Sequence, residues 1–285
     1  MNLNYLTSSA IRDFIASAIK EDVGDGDHST LAAIEADAQS QAQLLIKDDG
    51  IIAGIALAEA IFHEYDEQLN LHIHIKDGAK VKKGDVGFIV EGSARSILTI
   101  ERLVLNCLQR MSGIATYTHS LSDMISHTPA KLLDTRKTTP NFRIMEKWAV
   151  AIGGGTNHRF GLYDMVMLKD NHIDFAGGIN KAIRSVKQYL KETNKSLKIE
   201  IETRTLEEVQ EVLDTGGVDV IMLDNMDIDT MREAIRMIGG RYATEASGGI
   251  TEENIKAVAE CGVDYISIGA LTHSHKSLDM SLKAL

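Results

Sequence analysis

The sequence has few of the residues that stiffen or cross-link a chain: 285 residues include only two prolines and two cysteines. Cys107 and Cys261 stand far apart in apolar surroundings. This placement indicates buried thiols in a reducing compartment rather than a disulfide or a cysteine metal site. Glycine, by contrast, occurs 23 times, which suits tight turns and close approach of the backbone to ligands.

Long hydrophobic runs and an excess of basic residues are also missing. The longest apolar stretch, Ile51–Phe62, is too short to span a membrane and contains Glu59. The N-terminal MNLNYL has no basic region before an apolar run, so it gives no sign of a signal peptide. The formal net charge of -11 argues against nucleic acid as the main partner. We expect a soluble cytoplasmic protein with neither nucleic-acid nor membrane partners.

The composition, 44% hydrophobic and 25% charged, is that of an ordinary globular protein with one large or two smaller domains. Up to about residue 126, helical and strand patterns are mixed. Ser8–Glu21 has helical spacing, whereas Gln41–Ile46 and Leu69–Ile75 alternate like half-buried strands. Ser96–Met124 predicts a long amphipathic helix that contains Arg102. Its predicted packing positions are Leu98, Leu103, Leu105, Leu108 and Met111.

Two features of this part have competing interpretations. His72 and His74 share one face of a strand and could bind a metal, although an exposed polar face is the favoured interpretation. Asp77–Val86 is a predicted hairpin with glycines at both turns, and it resembles the turn of lipoyl-type or hammerhead folds. Lys80–Lys83 could therefore serve as a carrier site, but a solvated structural turn is favoured.

From about residue 131 the chain alternates between apolar runs and helical stretches. Helical patterns such as Leu206–Leu213 and Glu253–Cys261 separate the later runs. Alternation of this kind predicts a parallel sheet, either closed as a barrel or doubly wound. The runs are KLLDT, DMVMLK, LKIEIET, VDVIMLD, RYATEAS and VDYISIG.

At or close to the end of each of these runs stands a residue suited to a site. The last four ends are 22, 23 and 22 positions apart, which is the length of one strand, one helix and two short loops. In a β/α barrel such residues gather at the carboxyl ends of the strands, where active sites form. The alternative is that polarity simply begins where a strand ends. The six ends are Lys137, Lys169, Glu202, Asp224, Ser247 and Gly269.

Positive charge is concentrated around the first run. Residues 131–159 contain six basic and two acidic residues, a local net charge of +4 in an acidic chain. Arginine forks and lysine ammonium groups suit carboxylates and phosphates, so the cluster favours a small polyanionic ligand. Gly153–Gly155 indicates either a flexible turn or a ligand loop, and His158 with Arg159 follows it. The basic residues are Lys131, Arg136, Lys137, Arg143, Lys147 and Arg159.

Acidic residues follow on the next strands. Glu200 and Glu202 share one strand face, and Asp224 ends the neighbouring strand. Carboxylates beside a cationic pocket can hold Mg²⁺ or stabilise a developing positive charge. The small residues at Ser247–Gly249 and Gly269–Ala270 suit phosphate binding by backbone N–H groups. The residues thus predict anionic substrates, one of them a phosphate ester, together with a metal.

The chain also carries a specific set of motifs in a fixed order: EDVGDGDHST, ERLVLNCLQRMSGIAT, DTRKTTP, GGGTNHRFGLYD, LKDNHI, EIET, MLDN, ASGGI and ISIGALTHS. In this set it resembles the quinolinate phosphoribosyltransferase family (nicotinate-nucleotide pyrophosphorylase, carboxylating) over nearly its whole length. The resemblance implies an α/β fold with an incomplete parallel α/β barrel over residues 113–271. It also implies an α+β, hammerhead-like N-terminal domain over residues 1–112, on which residues 272–285 pack (the type II phosphoribosyltransferase fold).

The reaction implied by the resemblance joins quinolinate to phosphoribosyl pyrophosphate (PRPP) and releases nicotinate mononucleotide, pyrophosphate and CO₂. This is a pentosyl transfer in NAD biosynthesis that uses Mg²⁺. The family forms homodimers with shared active sites, or larger assemblies such as a hexamer of dimers. Arg136, His158 and Arg159 would hold the quinolinate carboxylates, and Lys137 with Lys169 would lie where quinolinate meets PRPP.

Further roles are implied for the remaining site residues. Arg102 would enter the site from the second subunit. Glu202 and Asp224 would lie near the ribose and the Mg²⁺–pyrophosphate, meeting the metal through water or PRPP, and Ser247–Gly249 with Gly269–Ala270 would hold the 5-phosphate. Lys137, Glu202 and Asp224 are the implied catalytic residues. The full implied substrate-binding set is Arg102, Thr135, Arg136, Lys137, His158, Arg159, Lys169, Glu202, Asp224, Ser247, Gly248, Gly249, Ile268, Gly269 and Ala270.

One departure from the family pattern is visible, because Asn141 stands where the family usually has glycine. Asparagine tolerates the left-handed conformation, so we expect this turn to survive. The alternatives are a molybdenum-transport-associated relative, a nicotinate phosphoribosyltransferase, a Schiff-base aldolase using Lys169 or Lys137, and a carrier module using Lys80–Lys83. Intact DTRKTTP and KDNHI disfavour the first, and the pair Arg136 and Arg159 disfavours the second.

Overall fold

The computed structural model describes residues 3–285, and these form two compact units. Of the described residues, the first unit comprises 3–119, 137–154 and 270–285, and the second comprises 120–136 and 155–269. Within the described chain no helix is both long enough and apolar enough to cross a bilayer. The units therefore differ from the predicted division at residue 112, since a single helix runs through that position and residues 137–154 belong to the first unit.

The first unit is built on a four-stranded antiparallel sheet of order β12-β1-β5-β3, with helices packed beside it. Its elements are α1 (Ser8–Val23), α2 (His28–Ala33), β1 (Gln39–Ile46), β2 (Gly50–Ile51), α3 (Ile55–Tyr65), β3 (Asn70–Ile73), β4 (Lys80–Val81), β5 (Val86–Ser93), α4 (Ala94–Met124, whose last residues belong to the second unit), α5 (Arg143–Ile152), α11 (Ala270–His273) and β12 (Met280–Ala284).

Strand β1 explains how this sheet forms a core. Ala42, Leu44 and Ile46 are buried at alternate positions, as strand geometry requires, and Leu44 lies opposite Leu282 of β12. The other face carries His72, whose Nε2 is 3.1 Å from Glu91 Oε1, and both side chains are part-exposed. The polar face predicted for His72 is thus confirmed.

Helix α4 buries residues at positions 97, 100, 104, 108 and 111, a spacing of three and four residues. Leu105, Leu108 and Met111 are buried as predicted, but Leu98 is 43% exposed. The prediction for Leu98 was wrong because this position lies off the buried stripe. Cys107 is also on the buried side, and burial raises the pKa of its thiol to about 12.

The structure tests the predictions for the two cysteines, for Asn141 and for the Asp77–Val86 turn. Both cysteines are buried and free, and Asn141 adopts the left-handed conformation at φ 63°, so these predictions are confirmed. The predicted Asp77–Val86 turn is held by side chains, since Asp85 accepts from the N–H of Lys82 and Asp49 from that of Lys83.

The first residue of the Gly153–Gly155 segment, Gly153, has a packing role. Gly153 follows α5, and a Cβ atom there would lie 2.5 Å from the carbonyl oxygen of Ala115 in α4. Glycine is therefore needed here for the close approach of two helices.

The second unit is a six-stranded sheet of order β6-β11-β10-β9-β8-β7, in which every described ladder is parallel. Its strands are β6 (Lys131–Leu133), β7 (Val166–Leu168), β8 (Ile199–Thr203), β9 (Val220–Asp224), β10 (Ala243–Ser247) and β11 (Tyr265–Ser267). Its helices are α6 (Asp170–Ala176), α7 (Ile179–Glu192), α8 (Leu206–Thr215), α9 (Ile228–Ile238) and α10 (Ile255–Ala259).

This topology confirms the predicted fold class. The first strand, β6, pairs with the last, β11, as it does in a barrel. No ladder joins β6 to β7 among residues 3–285, so the barrel is incomplete. In register, Ser247 lies opposite Asp224, and Glu202 lies opposite Met222. The carboxyl ends of β8, β9 and β10 therefore lie side by side.

Candidate active site

The site begins at the end of β6, where a buried aspartate binds a segment from later in the chain. Asp134 Oδ2 accepts a hydrogen bond from Asn157 Nδ2 at 2.7 Å, and Asp134 Oδ1 accepts one from the N–H of His158 at 2.9 Å. A parallel bridge between Leu133 and Thr156 brings the two segments together. The DTRKTTP and TNHR motifs are thus joined through Asp134, a residue that sequence reasoning did not assign to the site.

His158 is directed into the interior of the sheet. Its Nε2 lies 2.8 Å from Glu200 Oε2 on β8 and 3.3 Å from Glu245 Oε2 on β10. All three side chains are buried, with at most 8% exposed. We call His158, Glu200 and Glu245 the interior cluster. Its placement agrees with a layer of inward-pointing side chains from alternate barrel strands.

Electrostatics favours a charged imidazole in this cluster. Burial lowers the pKa of His158, but the hydrogen bonds and charges of Glu200 and Glu245 raise it more strongly, to about 9. Burial raises the pKa of the Glu200 carboxyl to about 7, despite the opposing hydrogen bond from His158. At neutral pH the imidazole is therefore protonated and contributes positive charge next to Arg159.

Among residues 3–285, the interior cluster is also the one group of three His, Cys, Asp or Glu side chains whose ligand atoms all lie within 4.8 Å of one another, a spacing that could hold a metal ion. Hydrogen bonds between a protonated His158 and the two carboxylates already account for this geometry. Sequence analysis missed Glu245. Only its position inside RYATEAS, a charged residue in an otherwise uncharged strand core, could have indicated it.

Two arginines come together beside His158. The Arg159 guanidinium donates to the carbonyl of Met165 at 3.1 Å and contacts Met167 Sδ at 3.5 Å. Burial, followed by the positive charge of Arg136, lowers the pKa of Arg159. The effect of the Arg136 charge on Arg159 places these two side chains near each other, so the fold gathers the predicted anion-binding groups Arg136, His158 and Arg159 in one region.

A second group forms at the ends of β7, β8 and β9. Lys169 Nζ lies 3.7 Å from Glu202 Oε2, with the lysine side chain half-exposed and the glutamate buried. Burial and then the negative charge of Asp224 raise the pKa of Glu202, whereas Lys169 opposes this effect. The predicted proximity of Glu202 and Asp224 is thus confirmed.

The loop after β9 holds Asp224 against the next strand. Asn225 is left-handed at φ 53°, its Nδ2 donates to Asp224 Oδ2 at 2.7 Å, and its N–H donates to the carbonyl of Ser247 at 2.9 Å. Gly248, at φ 87°, leaves room for this side chain, because a Cβ atom would lie 2.2 Å from Asn225 Oδ1. Asn225 is a further residue, after Asp134 and Glu245, that the sequence-based site omitted.

The other predicted residues are divided between the units. Thr135, Gly249, Ile268 and Gly269 belong to the second unit, at or beyond strand ends. Arg102, Lys137 and Ala270 belong to the first unit. Within the basic cluster of residues 131–159, Arg143 and Lys147 lie on α5 of the first unit, where Lys147 is fully buried and so is not part of a surface.

A polar cavity of about 630 Å³ opens elsewhere, on the sheet of the first unit. None of the predicted site residues lines it. Its walls are Gln39, Ser40, Gln41, Gln68, Asn70, Glu91, Gly92 and Leu285.

Comparison with known proteins supports the interpretation of the motifs. Family models described as quinolinate phosphoribosyl transferase, N-terminal domain and C-terminal domain, match residues 27–112 and 114–283. The chain is 50% identical over 288 residues to quinolinate phosphoribosyltransferase (decarboxylating) 2b, mitochondrial, of Nicotiana tabacum, covering 96% of this chain and 82% of that relative. It is 48% identical to nicotinate-nucleotide pyrophosphorylase (carboxylating), chloroplastic, of Arabidopsis thaliana, with the same coverage.

Solved structures agree. The crystal structure of NadC from Streptococcus pyogenes is 40% identical to this chain, with a TM-score of 0.92. The match covers 98% of this chain and 99% of that structure.

The names of the relatives correct one expectation. The proteins of Nicotiana tabacum and Arabidopsis thaliana are named mitochondrial and chloroplastic, which contradicts the predicted cytoplasmic location. That prediction rested on N-terminal residues and composition, and neither property determines the compartment of a folded enzyme.

Proposed function

The chain belongs to the quinolinate phosphoribosyltransferase family, and on that premise we propose that it transfers the phosphoribosyl group of PRPP to quinolinate with loss of CO₂. The products are nicotinate mononucleotide and pyrophosphate, so the enzyme acts in NAD biosynthesis. The observation that carries the proposal is the grouping of Arg136, protonated His158 and Arg159 in the same unit as the acidic pair Glu202 and Asp224.

The cationic group suits a substrate with two carboxylates. Arginine forks bind carboxylates with two parallel hydrogen bonds, and the imidazolium adds a further charge. Because Nε2 of His158 serves the two glutamates, its ring meets a substrate through another edge. Lys137, next to Arg136 in the chain, and Lys169 would counter the charge where two anionic substrates meet. Holding both anions together supplies the proximity that the reaction needs.

The acidic pair suits Mg²⁺. Glu202 and Asp224 offer carboxylate oxygens, the donors that this ion prefers, and the negative charge of Asp224 raises the pKa of Glu202. A cation near them relieves that repulsion. When bound, Mg²⁺ would neutralise charge on the pyrophosphate leaving group. We propose that the two residues meet the ion through water or PRPP oxygens. Ser247–Gly249 and Gly269–Ala270 would bind the 5-phosphate through backbone N–H groups.

The chemistry follows from these placements. As the bond between the ribose carbon and pyrophosphate breaks, positive charge develops on the sugar, and the carboxylates of Glu202 and Asp224 stabilise it. The pyridine nitrogen of quinolinate then forms the new bond to the ribose carbon and becomes cationic. When the adjacent carboxylate leaves as CO₂, its electron pair passes to the ring carbon beside that nitrogen, and a proton takes its place.

The direct test is CO₂ release from carboxyl-labelled quinolinate in the presence of PRPP and Mg²⁺. We expect release that requires PRPP, together with no turnover of nicotinate as the control acceptor. Omitting Mg²⁺ with a chelator should abolish release. A folded protein that binds PRPP but releases no CO₂ would contradict the proposal and point to another anionic acceptor.

We further propose that the enzyme is a homodimer in which each site receives Arg102 from the other subunit. This side chain is 63% exposed, and its Nη2 lies 3.6 Å from Glu101 Oε1 in the same chain. If the site is shared, mixing inactive Arg102→Ala and Arg136→Ala subunits creates heterodimers with one intact site. We expect about a quarter of wild-type activity from random pairing of equal amounts.

A matched mixture tests whether this recovery comes from sharing. Arg136→Ala and Lys169→Ala affect residues of one unit, so their mixture places a defect in every site and should recover nothing. Subunit exchange is verified with tags of different mass. Exchanged Arg102→Ala and Arg136→Ala heterodimers without activity would rule out the shared site.

A further inference from the structure

The loop that presents Lys137 is held through its main chain by buried side chains of the first unit. We call residues 137–142 the lysine loop. The carbonyl oxygen of Lys137 accepts a hydrogen bond from Thr272 Oγ1 at 2.8 Å, and the N–H of Thr139 donates to Glu146 Oε2 at 3.1 Å. Thr272 and Glu146 are both fully buried, with 0% of their surface exposed.

Arg110 joins these contacts into one network. Its Nη2 donates to Thr139 Oγ1 at 2.7 Å and to Glu146 Oε1 at 2.6 Å. Its Nε also donates to Glu146 Oε1, at 2.9 Å, and its Nη2 reaches the carbonyl of Thr272 at 3.4 Å. One guanidinium on α4 therefore contacts the lysine loop, helix α5 and helix α11 together.

A buried carboxylate is costly unless it is paired and hydrogen-bonded, so Glu146 depends on Arg110 and on the N–H of Thr139. Because Thr139 supplies one of these hydrogen bonds to Glu146 and accepts another from Arg110, the same contacts restrain the lysine loop. Lys137 itself is exposed and has a flexible four-carbon side chain, so a fixed main chain narrows the region that its ammonium group can reach.

We propose that Arg110, Glu146 and Thr272 form a clamp on the lysine loop, and that Thr272 is a positioning residue for Lys137. This inference rests on the proposed function, in which Lys137 acts where the two substrates meet. Because a displacement of about 1 Å at a reacting group can cost about 10²-fold in rate, loss of the Thr272 hydroxyl should affect turnover more than binding.

The test compares Thr272→Val with Thr272→Ser. Valine keeps the shape of threonine but cannot donate to the Lys137 carbonyl, whereas serine can. We expect kcat of Thr272→Val to fall about tenfold, with the KM of quinolinate and of PRPP changed less than about twofold. Thr272→Ser should recover at least about half of the wild-type kcat, because it restores the donor.

Thr116→Val is the matched control. Thr116 Oγ1 accepts from the N–H of Ile51 at 2.9 Å, so it binds a different main-chain segment of the same unit from α4. We expect Thr116→Val to lower the unfolding temperature about as much as Thr272→Val, while kcat stays within about twofold of wild type. Equal loss of kcat in both valine variants would overturn the positioning role.

The rate of amide hydrogen exchange in residues 137–142 reports how firmly the lysine loop is held, and it does not depend on transferase activity. We expect faster exchange of these amides in Thr272→Val and in Glu146→Gln than in wild type, and unchanged exchange in Thr116→Val. If exchange is faster in both clamp variants but the wild-type protein has no transferase activity, the clamp is upheld and the proposed function is refuted. Unchanged loop exchange in both clamp variants would refute the clamp, whatever the activity.

Discussion

Replacing His158 by leucine is expected to destabilise the protein by about 3–5 kcal/mol, because it leaves two buried carboxylates without their cation. Nε2 of His158 serves Glu200 at 2.8 Å and Glu245 at 3.3 Å, and neither carboxylate reaches solvent. Urea denaturation of wild type and variant at pH 7 measures the difference. Adding Glu200→Leu to His158→Leu removes one of the uncompensated charges and should recover part of the loss.

An exposed histidine–glutamate pair provides the control for this experiment. His127 Nε2 lies 3.1 Å from Glu260 Oε1 in the same unit, but both side chains are about half-exposed. His127→Leu should therefore change the free energy of unfolding by less than about 1 kcal/mol. Equal effects of His127→Leu and His158→Leu would show that burial of the interior cluster carries no special cost.

The effect of His158 on stability also has a defined dependence on pH. The pKa of the imidazole rises on folding from its ordinary 6.5 to about 9. A raised pKa means that the stabilisation is fully present below pH 6.5 and is lost as the pH rises through about 9. The stability difference between wild type and the double variant His158→Leu/Glu200→Leu, in which neither group can titrate, should therefore narrow between about pH 7 and about pH 10. A difference that is constant over this range would indicate an uncharged His158.

Replacing Glu202 by glutamine is expected to lower kcat by roughly 10²–10³-fold, the usual effect of removing one group that stabilises transition-state charge. Glutamine keeps the shape of the side chain but not its negative charge. Lys169 lies 3.7 Å from this carboxylate and opposes the rise of its pKa on burial. In the buried site the local dielectric constant is low, so the interaction of the carboxylate with a positive charge on the sugar is stronger than in water. The KM of quinolinate should change less than about threefold, since the proposed carboxylate contacts lie elsewhere.

Glu208→Gln is the control for Glu202→Gln. Glu208, in the first turn of α8 of the same unit, pairs with Arg204 at 2.7 Å and keeps 19% of its side chain exposed. Its kcat should stay within about twofold of wild type. Single-turnover measurement separates chemistry from product release in both variants. A Glu202→Gln enzyme with near-normal single-turnover rates would show that the carboxylate charge does not act in the chemical step.

Much of the fold could be predicted from local patterns. The runs KLLDT and LKIEIET contain β6 and β8, and the pattern of Ser96–Met124 lies within α4. These predictions succeeded because helical and strand periodicity depends on residues close in sequence. The left-handed conformation of Asn141 succeeded for the same reason, since it reflects a property of asparagine itself.

Predictions failed where burial depends on partners distant in sequence. Leu98 is apolar and lies on a helix, yet it is exposed, whereas Lys147 is charged and fully buried. Gly153 seemed as well suited to a flexible turn as to a ligand loop, but it allows two helices to approach closely. In each case the outcome is decided by which element packs against the residue, and no local pattern encodes that choice.

By itself the sequence determined the order of strands and helices and the residue types at the strand ends. Both depend on local periodicity and on the regular length of a strand–helix unit. Only the tertiary structure decided that Glu245 on β10 and Glu200 on β8 meet at one imidazole. That meeting requires a particular strand order and register, and a shift of one residue would turn either side chain to the opposite face of the sheet. Strand order and register are set by packing of the whole sheet, which is why Glu245 became part of the site only in the folded protein.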